Sequence, residues 1–207
     1  MDDETGGSSR PETHEREHSE LLQLARWTLT YYLCQGKQPT CETEHYWFVT
    51  PAAVFVTLRR KPYIPGVPGE LRGCIGQIEA VLPLYRAVQD AVIKAATIDP
   101  RFKPVKQDEM DNIRIEISIL SGMRSIDAAN DIFIGHDGLF IAGHQNSGLL
   151  LPEVAINFGW DGCEFIRHVC HKAGLPEDAW PASAKLFAFS TESFVEKPEA
   201  LENIPRQ

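Results

Sequence analysis

Isoleucine stands at positions 113, 115, 117 and 119, with Arg114, Glu116 and Ser118 between them, and no other stretch limits the fold so tightly. Side chains on a strand alternate between its faces, so this pattern gives one aliphatic face and one polar face. The spacing predicts a half-buried strand over 113–120. Such a strand needs a sheet to pair with and an apolar layer to cover it.

Two further stretches supply candidate partners. Ala53 to Leu58 reads as a strand with Val54, Val56 and Leu58 on one side and Thr57 on the other. A loop rich in turn residues (Pro62, Pro65, Gly66, Pro68, Gly69) separates it from the strand-like run Leu71 to Ile78, and a hairpin with a long connection is the simplest reading. The covering layer comes next in the chain. Leu84, Ala87, Val88, Ala91, Val92 and Ala95 form an apolar stripe over residues 84–97, with Pro83 suited to the first turn and Pro100 forcing a stop. An earlier amphipathic helix starts at Ser19 as its N-cap and ends before Gly36. Residues 1–18 are polar and acidic and are expected to be a disordered tail.

Beyond residue 120 the signals are weaker. Ile132 to Ile141 should turn back on itself at Asp137 and Gly138. Asp161 and Glu164 have capping-box spacing for a helix ending near Gly174, with Phe165, Ile166, Val169 and Cys170 on its buried side. A strand around Phe187 and Phe189 runs on towards Phe194, and residues 198–207 are expected to fray. Ser147 lacks the glycine spacing of a hydrolase elbow, and His136 and His144 read as loop residues. Glu164, His168 and His171 share a helix face, but no second motif with metal spacing accompanies them, so neither a metal nor a cofactor is expected.

Composition narrows the class. The 207 residues are 43% hydrophobic and carry a formal charge of −9, which suits a single domain from about residue 19 to 197. Six acids (Asp2, Asp3, Glu4, Glu12, Glu15, Glu17) face only Arg10 and Arg16 in the tail, yet the body is still acidic. That balance argues against a protein built to grip nucleic acid. The five cysteines are scattered and follow no basic-then-apolar leader, so a reducing, cytoplasmic setting is expected, without a membrane span.

The chemistry concentrates in Leu71-Arg72-Gly73-Cys74-Ile75-Gly76. Glycine weakens a strand interior and marks a place where a ligand or another backbone comes close. Alternation puts Arg72 and Cys74 on one face, where a cation favours the reactive thiolate. If the strands share one sheet, Thr57, Glu116 and Ser118 join that face. Two readings compete. One is a wet sheet face with an Arg72–Glu116 pair worth about 0.2–1 kcal/mol. The other is a small-molecule or acyl-group site with Cys74 as nucleophile, Arg72 lowering its pKa and Glu116, or a hydroxyl from Thr57 or Ser118, moving protons. Thr57, Gly73, Gly76 and Ser118 would then line the site. The turn Asp99-Pro100-Arg101-Phe102 brings an acid and a cation to a helix end, which makes Asp99 and Arg101 candidate binding residues. A non-enzymatic protein-binding module using the same cleft, or the Pro62–Pro68 loop, is the alternative. Nucleic-acid binding through Arg59, Arg60, Lys61, Arg72, Arg101 and Lys103 comes third.

Taken together, VFVTL (54–58), LRGCIG (71–76), DPRF (99–102), EISIL (116–120), SGLLLPEV (147–154) and KAGLP (172–176) resemble the AMMECR domain family. That family is named for a chromosomal region tied to Alport syndrome, midface hypoplasia and elliptocytosis. The resemblance covers roughly residues 20 to 196 and leaves out the acidic tail, and Glu153 stands where the family pattern carries glutamine. It implies an α+β domain of two unequal subdomains with mainly antiparallel strands, and LRGCIG near the cleft between them. It also implies Memo-like or radical-SAM proteins as possible partners, because some prokaryotic members are encoded beside them. A fold match supplies no reaction.

Overall fold

The computed structural model describes residues 10–197 apart from 42, 44 and 61–68. The start of the acidic tail, the Pro62–Pro68 loop and the last ten residues lie outside the described residues. The chain is α+β, with two antiparallel sheets and packed helices. It divides into two compact units, residues 1–119 with 193–207, and residues 120–192.

The first unit opens with α1 (Arg10–Gln35) and a short α2 (Tyr46–Val49), followed by the hairpin strands β1 (Ala53–Arg60) and β2 (Glu70–Gln77). Then come α3 (Leu84–Thr97), a 3-10 turn at Gln107–Asn112 and β3 (Ile113–Leu120). The later elements are β4 (Arg124–Ser125), β5 (Gly138–Ala142), β6 (Ser147–Leu150), α4 (Pro152–Phe158), α5 (Gly162–Lys172), α6 (Ala179–Ala182), β7 (Lys185–Phe189) and β8 (Thr191–Val195). Strand order is β2-β1-β3-β8 in the first sheet and β4-β7-β5-β6 in the second.

The alternation of β3 is realised in the core. Ile113, Ile115 and Ile117 are fully buried together with Val54, Val56 and Leu58 of β1. The stripe of α3 covers them, and Leu21, Ala25 and Leu29 of α1 join the same core. Each fully buried Val, Leu or Ile among them contributes about 1.5–3 kcal/mol by leaving water. Gly73 shows how closely the layers approach, since a Cβ there would lie 2.1 Å from the carbonyl oxygen of Ala95 on α3. The close approach marked by this glycine is therefore that of a helix backbone. The second unit repeats the scheme, with Phe165, Val169 and Cys170 of α5 buried together with Leu139, Ile141, Leu186 and Ala188 of its sheet.

Four elements differ from the sequence expectation. Helix α1 starts at Arg10, so Ser19 lies inside it and residues 10–18 are helical. The extension is held by the Arg16–Glu20 pair at 2.9 Å and by ring packing of His14 and His18 against Trp47, with His18 also stacked on Phe194. No hairpin forms at Asp137–Gly138. The buried Asp137 carboxylate instead accepts from the amide of Phe133 and from Arg124, which makes residues 133–137 a fixed turn leading into β5. The hairpin is β5–β6, closed by the Gly143 amide on the Asn146 carbonyl at 2.8 Å. The expected final strand is two strands, split at Ser190 between the two sheets. The fourth difference is α4, which the sequence reading does not anticipate.

One irregularity decides the site. Leu58 pairs with Gly73 but Arg59 pairs with Leu71, so Arg72 has no residue opposite it. This is a β-bulge, and one extra residue re-aims the side chains beyond it. Arg72 consequently points to the side of Arg60, and both reach Glu109 of the 3-10 turn, at 2.9 and 3.0 Å.

Candidate site around Cys74

Thr57 and Cys74 are cross-strand partners, and the Thr57 hydroxyl donates to Cys74 Sγ at 3.2 Å. Because β2 is the edge of its sheet, the outward backbone groups of Cys74 need partners from elsewhere. The turn after α3 supplies them. The Cys74 amide donates to Asp99 Oδ2 at 2.9 Å, and Arg101 Nη2 donates to the Cys74 carbonyl at 3.3 Å. Asp99 also accepts from the Arg101 amide and Nε on Oδ1, at 3.1 and 2.9 Å, and from Nη2 on Oδ2 at 2.6 Å. One buried carboxylate thus clasps the Asp99–Arg101 turn to the edge strand.

These contacts set the charges. The hydrogen bonds from Arg101, and those from the Cys74 and Arg101 amides, outweigh burial and hold the Asp99 carboxyl down at about 2. The Cys74 thiol moves the other way. Burial pushes it above the ordinary cysteine value, aided by the Asp99 and Glu116 carboxylates and opposed by the Thr57 hydroxyl and the Arg101 cation. The resting site presents a neutral thiol. Glu116 lies on the same sheet face and is paired with Arg59 at 3.1 Å, each about a quarter exposed.

Of the residues singled out from sequence, Thr57, Cys74, Asp99, Arg101 and Glu116 come together here. Arg72 does not. The shared face of Arg72 and Cys74 is corrected by the bulge, and the cation acting on the thiol is Arg101. Arg72 instead forms a two-pronged pair with Glu109, whose carboxyl is held at about 2, chiefly by that arginine. Ser118 is engaged with Ser193 on β8 at 2.8 Å. Gly73 packs on α3, and a Cβ at Gly76 would lie 2.4 Å from Phe55 Cγ, so that ring lies across it. Arg59 is the residue missed, although alternation from Thr57 places it on this face.

Metal binding has little to draw on around Cys74, because both Asp99 oxygens are committed to Arg101 and the Cys74 amide. On α5 Glu164, His168 and His171 line one pocket, with the two imidazole rings 6.4 Å apart, and each side chain is engaged elsewhere: Glu164 accepts from the Asp161 amide at 3.1 Å. His168 stacks on Trp160 at 3.7 Å, while His171 faces Glu177 at 3.3 Å.

Comparison with known proteins places the chain in a family. The AMMECR1 family model matches residues 22–194. Protein MK0488 of Methanopyrus kandleri is 38% identical over 185 residues, covering 86% of this chain and 87% of that protein. Protein PYRAB00100 of Pyrococcus abyssi is 41% identical over 186 residues, covering 86% and 89%. The crystal structure of the uncharacterized protein PH0010 from Pyrococcus horikoshii superposes with a TM-score of 0.81 at 38% identity, covering 88% of this chain and 92% of that one. With the family model spanning most of its length and these relatives aligned nearly end to end, the chain belongs to the AMMECR1 family.

Proposed function

We propose that the first unit carries a small-molecule site centred on Cys74, at which a neutral thiol accepts an acyl group. The supporting observation is the clasp itself. Asp99 and Arg101 fix the Cys74 backbone while Thr57 orients the sulfur, so the thiol is held in one place without being ionised. Such pre-positioning is what a covalent step needs from its nucleophile. In that step Cys74 Sγ bonds to the acyl carbon, its proton passes to Glu116, and the carbon–leaving-group bond breaks. Glu116 returns the proton to the leaving group, and the enzyme holds a thioester. Arg101 offers its exposed side to the carbonyl oxygen as charge develops there.

A second reading has an observation of its own. Thr57–Cys74, Asp99–Arg101 and Arg59–Glu116 are all paired, which also suits a binding module whose clasp only protects a sheet edge. Free thiols at all five cysteines accord with a reducing, cytoplasmic setting. The engagement of Arg59, Arg60 and Arg72 by carboxylates removes much of the basic patch that nucleic-acid binding would use.

The two readings part on p-nitrophenyl acetate. A burst of nitrophenolate, with the acetyl group mapped to Cys74 by peptide mass spectrometry, is expected of wild type and not of Cys74→Ala. The same burst in Cys74→Ala, or acetyl groups only on other residues, leaves the binding module as the reading to keep.

A further inference from the structure

Large apolar side chains of the second unit stand in solvent, most of them on two neighbouring elements: Phe133 at 64% exposure, Ile134 at 41%, Ile156 at 57% and Phe158 at 69%. They come from the turn before β5 and the last turn of α4. A Cβ added at Gly135 would lie 3.3 Å from Ile156 Cδ1, so the backbone beside Ile134 runs against Ile156. Phe158 extends the surface by stacking on Trp160 at 4.9 Å and 14°, and Trp160 stacks in turn on His168. Single apolar residues on a surface are ordinary, but a contiguous group is not. Folding does not require this one. Helix α4 packs through Pro152 and Ala155, and Gly159 at φ 67° ends it so that its last turn stays outside.

The charge around the surface says what it fits. Residues 120–192 hold nine acids against four Lys and Arg. Asp127 and Asp131 precede Phe133 and Asp161 follows Trp160, all three exposed. Arg124, which lies 5.7 Å over the Phe133 ring, is neutralised by Asp137. An apolar surface in an acidic field repels an anionic bilayer and a second copy of itself. It is complementary to a helix with an apolar face and basic flanks. We propose that Phe133, Ile134, Ile156 and Phe158 form a docking surface for a basic amphipathic helix of a partner protein.

The test uses the full chain and a fluorescein-labelled leucine–lysine peptide of about four helical turns, followed by anisotropy at about 0.15 M salt. Saturable binding is expected with wild type and about tenfold weaker binding with Ile156→Ser/Phe158→Ser. Phe133→Ser, on the other element, is expected to weaken binding too, and circular dichroism checks that both variants are folded. The same peptide with glutamate in place of lysine should not bind. Equal affinity for wild type and both variants shows attraction by charge alone and overturns the proposal, as does preferential binding of the glutamate peptide. Binding to phosphatidylglycerol vesicles, or a dimer in sedimentation, that disappears with Ile156→Ser/Phe158→Ser assigns the surface to a membrane or a second copy and overturns it as well.

Discussion

Thr57 and Cys74 face each other across β1 and β2, and the threonine hydroxyl donates to the sulfur at 3.2 Å. That bond favours the thiolate, yet burial outweighs it and the thiol titrates above the ordinary cysteine value. Iodoacetamide labelling of Cys74 followed against pH should therefore show a midpoint above the free-thiol value of about 8.5. Thr57→Val removes the bond that lowers the pKa, so its midpoint moves further up and labelling at pH 8 slows. A midpoint below the free value in wild type would falsify the neutral-thiol assignment.

Much of this site is legible in the sequence because periodicity records which face is buried. The expected bounds of β3 and α3 match the structure, since each carries a long unbroken stripe. Arg72 is misread because alternation assumes an uninterrupted register, and the bulge at Leu58/Arg59 leaves no mark that separates it from an ordinary glycine-containing strand. Glu109 is invisible for a related reason: its partners, Arg60 and Arg72, lie far away in sequence. Two signals are present but unread. Pro152 and Gly159 bracket α4 as first-turn proline and left-handed cap, and the i,i+4 spacing of Arg16 and Glu20 supports the extension of α1 ahead of Ser19.

Acid sensitivity should trace to two carboxylates. Asp99 and Glu109 are both held at about 2, below 3.8 and 4.5, by their arginines. A depressed acid stabilises the fold fully above its unfolded pKa and loses that contribution as pH falls towards its folded pKa. Urea unfolding should thus show stability falling between about pH 4.5 and about pH 2. Asp99→Asn should flatten part of that fall while lowering stability at pH 7. An unchanged pH profile in this variant would show that Asp99 is not one of the titrating groups.

Gly73 should tolerate no side chain. A Cβ would sit 2.1 Å from Ala95 O, a backbone atom that cannot swing aside. Gly73→Ala is expected to cost at least the 1–3 kcal/mol or so typical of overpacking. Gly122→Ala, where a Cβ meets nothing within 4 Å, should stay within about 0.5 kcal/mol of wild type. Chemical denaturation of the pair checks the contrast, and similar losses in both would mean that β2 and α3 are not in backbone contact.

The pairing of Arg26 with Glu196 carries the largest expected effect. Arg26 Nε donates to Glu196 Oε1 at 2.8 Å, Nη2 also binds the carboxylate, and both side chains are less than a tenth exposed. Arg26 additionally donates to the carbonyls of Ile113 and Met110, while Glu196 accepts from the Ile115 amide at 2.8 Å. The pair thereby ties α1, β3 and the segment after β8 together. Removing one member strands a buried charge, so Glu196→Leu and Arg26→Met should each cost about 3–5 kcal/mol. Removing both charges leaves none stranded, and Arg26→Met/Glu196→Leu should be less destabilised than the two single changes added together. Urea denaturation of the four proteins closes the cycle. A double variant whose loss equals the sum of the singles would show that the two side chains are not energetically coupled, and the tie between α1 and the C-terminal segment would have to be sought in the aromatic stack of His18 on Phe194 instead.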